Sequence, residues 1–140
     1  MIGKTIEDLE PGQSAAFSKT ISESDVYLFA GITGDFNPAH VNQPYAEKTF
    51  FKARIAHGIL VAGLLSAVMA NQLPGPGAVY IHQDLDFKAP VYIGDTVTAQ
   101  VEVLAIDLGT NRVELKTTCL NQDGVVVVDG QATVSPPKRP

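Results

Sequence analysis

The sequence predicts an α+β domain in which one curved antiparallel sheet wraps around a long buried helix. Residues 57–72 are apolar on nearly every side, with Ser66 as the polar interruption of the central run, a pattern typical of a helix that is buried all round. The last third of the chain alternates apolar and polar residues instead, which predicts half-buried strands. One face of such a sheet is the only apolar surface that could receive the helix, so the sheet should enclose it.

The first third of the chain predicts a strand and then a helix. Residues 14–21 are compatible with a strand, and Ser22 and Asp25 have the spacing of a reciprocal N-terminal cap. A helix should therefore begin after Ser22. Its buried face is predicted from recurrences at steps of three and four, at Val26, Phe29, Ala30 and Thr33.

A loop-rich overhang is predicted for residues 35–56, between that helix and the buried one. Pro38 and Pro44 each exclude a helix interior, although residues 45–51 have room for a turn or two. The Pro-Gly-Pro-Gly run at residues 74–77 should end the buried helix.

The last third predicts four strands joined by short turns. Alternation predicts the inward faces of three of them: Val79, Ile81, Leu85 and Phe87; Val97, Ala99, Val101 and Val103; and Val113, Leu115 and Cys119. A fourth strand is predicted from Val125 to Val134, and the turn residues between strands are typical of an antiparallel meander. A sheet of this kind around one long helix is a hot-dog fold.

One domain accounts for the 140 residues. We expect a single hot-dog domain over residues 1–135 and an extended or frayed proline-rich tail over residues 136–140. The free edges of the sheet favour pairing with a second copy, so at least a homodimer is expected.

Composition disfavours several classes of partner and location. Ten Lys and Arg against fifteen Asp and Glu leave a formal net charge of −5, which disfavours nucleic acids and anionic membranes. Glu7 and Asp8 precede any apolar stretch, so no secretory signal is predicted. The apolar run from Ile59 to Ala70 is shorter than the about 20 residues that cross a bilayer. A lone cysteine, Cys119, forms no intrachain disulfide and suits a reducing cytoplasm.

Asp35 and His40 are the candidate acid and base. Pro38 prevents a helix between them, so both side chains can point into one cavity with a water between them. Asn37 is placed to orient either partner through its amide. The alternative is that Asp35 caps a turn and that His40 is an ordinary surface or core histidine. Cys119 is expected to be a small buried residue rather than a nucleophile.

Gly58, at the start of the buried helix, is the second candidate feature. The first N–H groups of a helix have no internal acceptor, so they can stabilise a carbonyl oxygen that gains negative charge. The alternative is that Gly58 only provides packing room. His57 is interpreted as a cap or hydrogen-bonding residue rather than as a second base.

A tunnel leading away from that carbonyl is the third candidate feature, because four residues share a helix face with Gly58: Ala62, Leu65, Ser66 and Met69. Val134 is a further candidate for its far end. The alternative is that all of these residues are core, with Ser66 bonded to the carbonyl of Ala62.

Metal and phosphate sites are the remaining hypotheses. Asp35, His40 and His57 form a two-histidine, one-carboxylate set, but their spacing matches no local ligand pattern, so no metal is predicted. Three basic residues either meet the phosphates of a ligand or form a solvated face: Lys48, Lys52 and Arg54.

The segment Thr33-Gly34-Asp35-Phe36-Asn37-Pro38-Ala39-His40 lies in a longer stretch, from Phe29 to Ala46, that resembles a known motif. This is the hydratase motif of the (R)-specific enoyl-CoA hydratases, the MaoC-like branch of the hot-dog proteins. The resemblance continues in the family's order through residues 54–58, 73–77 and 90–97. The length resembles that of the short members that feed polyhydroxyalkanoate synthesis. Ala39 departs from the larger aliphatic residue expected there, which should widen the turn slightly.

This resemblance implies a lyase that needs no cofactor. Asp35 and His40 would be the catalytic pair, supported by Asn37, and the Gly58 N–H would hold the thioester oxygen. Water held by the pair would add to C3 of a trans-2-enoyl-CoA while a proton reaches C2, giving the (R)-3-hydroxyacyl-CoA. The alternatives are an acyl-CoA thioesterase of the same fold and a non-catalytic acyl-CoA or acyl-carrier binding module. Acyl chain length, the choice of carrier and the identity of the formal base stay open.

Overall fold

Four α-helices and six strands make up the computed structural model, which describes residues 1–140. The helices are α1 (Glu23–Thr33), α2 (Pro38–Val41), α3 (Gln43–Glu47) and α4 (Gly58–Asn71). The strands are β1 (Ser14–Thr20), β2 (Val79–Gln83), β3 (Asp86–Phe87), β4 (Thr96–Asp107), β5 (Arg112–Leu120) and β6 (Val126–Ser135). A short 3₁₀ helix covers Ile6–Asp8.

All six strands belong to one antiparallel sheet. Its order is β1-β4-β5-β6-β2, and β3 also pairs with β6. The consecutive strands β4, β5 and β6 form a meander, as predicted. The fourth predicted member, residues 79–87, pairs with β6 instead of β4, so β1 and β2 are the two edges. The sheet curves around α4, so the predicted hot-dog arrangement is confirmed.

The core lies between α4 and the inner face of the sheet. Val97, Ala99, Val101 and Val103 of β4 are at most 1% exposed, as their alternation predicts. The residues predicted to face inward on β5 are fully buried as well, at Val113, Leu115 and Cys119. The partner surface on α4 is formed by Val61, Leu64, Leu65, Val68 and Met69.

Reciprocal hydrogen bonds start α1, as predicted. The Ser22 hydroxyl accepts the Asp25 N–H at 3.1 Å, and the Ser22 N–H donates to the Asp25 carboxylate at 2.9 Å. Of the four residues predicted for the buried face, Val26 and Ala30 are buried, whereas Thr33 is exposed. Thr33 instead donates its hydroxyl proton to the carbonyl of Phe29 at 2.8 Å.

The overhang is more helical than predicted, because both prolines stand in the first turn of a short helix. Proline is tolerated there since the N–H that it lacks would have no partner within the helix. Pro38 begins α2 and Pro44 lies in the first turn of α3. The side chains of Asn37 and Asn42 cap these two helices.

The prediction that α4 is buried all round is wrong for a single chain. One stripe of the helix faces outward, with Ile59 at 57% exposure and both Gly63 and Ala70 exposed. The sheet covers only the opposite side, because its curvature does not close around the helix.

The strand predicted around residues 79–87 is interrupted, and of its four apolar residues only Leu85 packs against the core. Val79, Ile81 and Phe87 are 56%, 48% and 52% exposed. A register irregularity between Tyr80 and His82 in the pairing with β6 breaks the strict alternation on which the prediction rested. The sheet therefore has an apolar and unpaired edge at β2.

The C-terminal tail is extended, which is one of the two expected states, and its first residues are packed rather than frayed. Pro136 and Pro137 are buried, and the Asn111 amide donates to the Pro136 carbonyl at 2.9 Å. Arg139 forms an ion pair with Asp8 at 3.0 Å. No helix of the chain combines the length and the apolar character that a membrane span requires.

The cap of α1 predicts a pH dependence of stability. A hydrogen bond from Lys19, followed by the Ser22 backbone N–H, lowers the pKa of Asp25 below its usual value. Because the folded pKa lies below the unfolded one, the stabilisation is present above about pH 4 and is lost as the pH falls through the folded pKa. Asp25→Asn should lower the free energy of unfolding by about 1 kcal/mol at pH 7.

Urea unfolding at pH 7 and at pH 3 checks this. The difference between wild type and Asp25→Asn should shrink at pH 3, while the exposed control Asp123→Asn should differ little from wild type at either pH. An Asp25→Asn difference that stays constant between the two pH values would contradict the prediction.

Candidate active site

Asp35 follows directly after the end of α1. Gly34 ends that helix with φ at 81°, in the left-handed region that glycine adopts without strain. The Asp35 N–H then donates to the Thr33 hydroxyl at 3.2 Å. One carboxylate oxygen of the exposed Asp35 accepts the Asn37 N–H at 3.2 Å. Asp35 therefore does brace a turn, as the alternative held, and that bond uses only one of its two oxygens.

Asn37 caps the short helix that carries His40. Its side-chain oxygen accepts the Ala39 N–H at 3.0 Å, and its carbonyl accepts the His40 N–H at 2.9 Å. The connection from Asn37 to the candidate pair thus runs through the backbone.

His40 is half-buried and is anchored by Ile55. Its Nδ1 lies 2.7 Å from the Ile55 carbonyl oxygen. A carbonyl only accepts, so the proton of the neutral ring is on Nδ1 and the Nε2 lone pair is left for another partner. The Ile55 N–H donates in turn to the Ala39 carbonyl at 3.2 Å.

His57 contacts both His40 and Asp35, and it is only 2% exposed. Its ring stacks on the His40 ring with centroids 3.9 Å apart and planes 30° apart, and the Phe29 ring lies 4.7 Å away. Its Nε2 is 3.0 Å from the Asp35 carbonyl oxygen, whereas its Nδ1 is buried without a partner. His57 occupies the cap position of α4 but makes no side-chain cap bond there.

The side chains of Asp35, His40 and His57 converge. One ligand atom from each lies within 4.8 Å of the others. Because a hydrogen bond spans about 2.8 Å, one water molecule can bridge two atoms at such a separation. The structure therefore brings Asp35 and His40 to a distance suited to a shared water.

The same three groups are also close enough to suggest a metal ion. An ion bound by imidazole lies in the ring plane at about 2.0–2.1 Å from the nitrogen. Each ring has one nitrogen at hydrogen-bond distance from a backbone carbonyl oxygen, so Nε2 of His40 and Nδ1 of His57 are the nitrogens left for an ion.

Gly58 begins α4 beside His57, so its N–H belongs to the first helical turn and has no acceptor within the helix. A Cβ at this position would lie 2.6 Å from two atoms of the Phe87 ring. Gly58 therefore provides packing room, as the alternative held, and also presents an N–H at the positive end of the helix.

An apolar cavity of about 480 Å³ reaches Gly58. Residues from the overhang, α4, the β3 region and β6 line it: Phe51, Ile55, Ala56, Gly58, Ile59, Val61, Phe87, Lys88, Ala89, Pro90, Val91, Val127 and Val128. These residues come from three separate stretches of the chain, at positions 51–61, 87–91 and 127–128, so no local pattern in the sequence could have indicated the cavity.

None of the residues predicted for the acyl tunnel lines this cavity. Leu65, Met69 and Val134 lie in the hydrophobic core, and Ala62 is also buried. Ser66 is half-buried, which makes it the most accessible of the five.

Arg54 stabilises the overhang rather than facing solvent. Its guanidinium donates to the Tyr27 hydroxyl at 2.8 Å and to the Gln43 side chain at 3.2 Å, and it lies 3.4 Å from the Glu23 carboxylate. Lys48 and Lys52 are exposed. These contacts attach the overhang to α1.

Cys119 is a buried thiol and not a nucleophile. It is fully buried, and burial raises the pKa of the thiol to about 12. A thiol must ionise to attack, so the environment of Cys119 suppresses its reactivity.

Comparisons with known proteins cover almost the whole chain. The MaoC like domain family matches residues 8–124. An (R)-specific enoyl-CoA hydratase of Rhodospirillum rubrum is 58% identical over 133 residues, which cover 95% of this chain and 92% of the relative. A 3-hydroxybutyryl-CoA dehydratase of Methylorubrum extorquens is 52% identical over 133 residues, which cover 95% of this chain and 84% of that relative.

A solved structure shares the fold. The (R)-hydratase from Aeromonas caviae involved in PHA biosynthesis superimposes with a TM-score of 0.91 at 42% identity. The similarity covers 94% of this chain and 99% of that one.

Proposed function

Because the chain belongs to the MaoC-like domain family, we propose that it is an (R)-specific enoyl-CoA hydratase, a lyase. It adds water reversibly to a trans-2-enoyl-CoA and forms the (R)-3-hydroxyacyl-CoA. One observation carries the proposal: a carboxylate oxygen of Asp35 and a ring nitrogen of His40 lie within 4.8 Å of each other, beside the start of α4. The relatives named hydratase and dehydratase support the two directions of one reaction.

The reaction needs only the pair, a water molecule and the thioester. Water bound between Asp35 and His40 supplies a hydroxyl group to C3 of the substrate. Its remaining proton passes to the pair, and a proton from the pair is delivered to C2, so the enzyme ends unchanged. The Nε2 lone pair of His40 is free to take part, because the other ring nitrogen is bonded to the Ile55 carbonyl.

The negative charge that develops on the thioester oxygen must be stabilised during the reaction. Addition at C3 gives an enolate in which the carbonyl oxygen carries the charge. The Gly58 N–H, at the positive end of α4, is the proposed donor to this oxygen. No cofactor enters this scheme.

Substitution of either member of the pair should impair hydration. Asp35→Asn and His40→Gln should each lower the rate of crotonyl-CoA hydration by at least about 100-fold, because each removes a proton-transfer group. Loss of the enoyl absorbance measures the rate. Asp123→Asn and His82→Gln are the matched controls, since they make the same changes at exposed positions and should keep wild-type rates.

Other outcomes distinguish the rival functions. Near-normal rates in either variant would refute the assignment of the pair. Release of free thiol by the wild type without loss of the enoyl absorbance would identify a thioesterase. Tight binding of acyl-CoA without any turnover would identify a binding module.

The acyl chain is proposed to run from Gly58 along α4, past Ala62, Leu65, Ser66 and Met69 toward Val134. The shared helix face and the partial exposure of Ser66 support this path. The apolar cavity lined by Val127 and Val128 is the competing location for the chain.

Chain-length preference tests the path. Ser66→Phe should lower kcat/KM for a long-chain 2-enoyl-CoA by about tenfold or more relative to crotonyl-CoA, because the bulkier side chain shortens the path. Ser66→Val serves as a milder variant if Ser66→Phe does not fold. Val128→Phe, which fills the cavity, should leave the ratio unchanged. Loss of the long substrate in Val128→Phe alone would show that the chain occupies the cavity instead.

A homodimer is the proposed assembly. The β2 edge exposes Val79, Tyr80 and Ile81, and α4 exposes Ile59 and other small or apolar residues. An unpaired and apolar strand edge is a surface that proteins ordinarily cover.

A cytoplasmic location and a role in supplying polyhydroxyalkanoate synthesis complete the proposal. The single reduced thiol agrees with a reducing compartment. The likeness to the Aeromonas caviae hydratase, which is involved in PHA biosynthesis, supports the metabolic role.

Sedimentation analysis tests the assembly. The wild type should sediment as a dimer, and Ile81→Glu should shift it toward the monomer because it places a charge on the edge strand. Leu108→Glu introduces the same charge at another exposed apolar residue, where it should have no effect. A monomeric wild type, or an unchanged dimer in Ile81→Glu, would contradict the proposal.

A further inference from the structure

We infer that His57 is a positioning residue that holds Asp35 and His40 at their working separation. This inference rests on the proposed hydratase function. His57 lies outside the pair, yet its ring contacts both members, at the backbone carbonyl of Asp35 and at the ring of His40.

The first contact fixes the backbone of Asp35. The Asp35 carbonyl oxygen can only accept, so the 3.0 Å contact requires the proton of the neutral His57 ring on Nε2. Because His57 occupies the position directly before α4, this bond ties the Asp35 turn to the start of the buried helix.

The second contact fixes the ring of His40. The two imidazoles stack at 3.9 Å, and Phe29 packs against His57 at 4.7 Å. His40 is therefore confined by His57 at its face and by the Ile55 carbonyl at Nδ1. The two histidines carry their protons on opposite nitrogens, with Nδ1–H in His40 and Nε2–H in His57.

His57 is not placed to act as a second base. Its Nε2 is occupied by the Asp35 carbonyl, and its Nδ1 is buried and touches no hydrogen-bonding group. It acts through the residues that it holds.

Steady-state kinetics with three variants test the role. His57→Ala removes both contacts and should lower kcat for crotonyl-CoA by about 100-fold with KM within about twofold of wild type, since misplacement of reacting groups affects the rate more than binding. His57→Gln keeps an amide donor that can reach the Asp35 carbonyl and should recover part of that loss. His57→Phe keeps a stacking ring and should recover part as well.

Two controls separate positioning from stability. Val68→Ala creates a cavity in the core far along α4, so it should lower the melting temperature while leaving kcat unchanged. If His57→Ala does not fold, the comparison of His57→Gln and His57→Phe with wild type carries the test. The inference is overturned if kcat in the folded His57 variants stays within about threefold of wild type, or if the loss appears in KM alone.

Long-range ¹H–¹⁵N spectra of the imidazoles test the contact between His57 and the Asp35 carbonyl directly. With only three histidines in the chain, His40→Gln and His82→Gln assign the signals. The neutral His57 ring should show its proton on Nε2, and a proton on Nδ1 would overturn the inference. Wild-type protein that folds but does not hydrate crotonyl-CoA would instead refute the proposed function. The His57 spectrum would still show whether the contact with Asp35 exists.

Discussion

Burial of α4 against the sheet is the constraint on which the site depends. The apolar face of this helix can leave water only on the inner surface of the sheet, so the position of its first residue is set by the core. The overhang is then attached at that point by contacts of Ile55, Ala56 and His57 with other segments. The candidate pair is thus located by a hydrophobic interaction to which neither residue contributes.

The core and the overhang are stabilised by different forces. Truncating a buried leucine or isoleucine costs about 2–5 kcal/mol, whereas one intramolecular hydrogen bond contributes about 1 kcal/mol net. The overhang has few core residues and many hydrogen bonds, including those of Arg54 to Tyr27 and Gln43. Changes in the overhang should therefore alter the arrangement of the site well before they unfold the domain.

Local patterns predicted the local parts of this structure. The Ser22–Asp25 cap, the inward faces of β4 and β5, and the start of α4 each depend on neighbours within a few positions or on one repeating period. Features that depend on distant segments were missed or misjudged. The irregularity in β2 and the outward stripe of α4 are examples, and so is the contact of His57 with Asp35, which are 22 positions apart.

In the candidate site as well, features set by near neighbours were predicted and features set by distant segments were not. The spacing of Asp35 and His40 around Pro38 indicated that the two could face a common space, and their ligand atoms lie within 4.8 Å. The cavity beside Gly58 combines residues near positions 51–61, 87–91 and 127–128, so its lining followed only from the fold.

The contact between Gly58 and Phe87 links the helix start to a second element of the fold. The aromatic ring fills the volume that any larger residue at position 58 would need. A family member with a side chain there must move or shrink the aromatic residue of β3, and that change would reshape the cavity wall. Variation at these two positions is therefore expected to be correlated, which gives a means of reading differences in ligand selection from sequence alone.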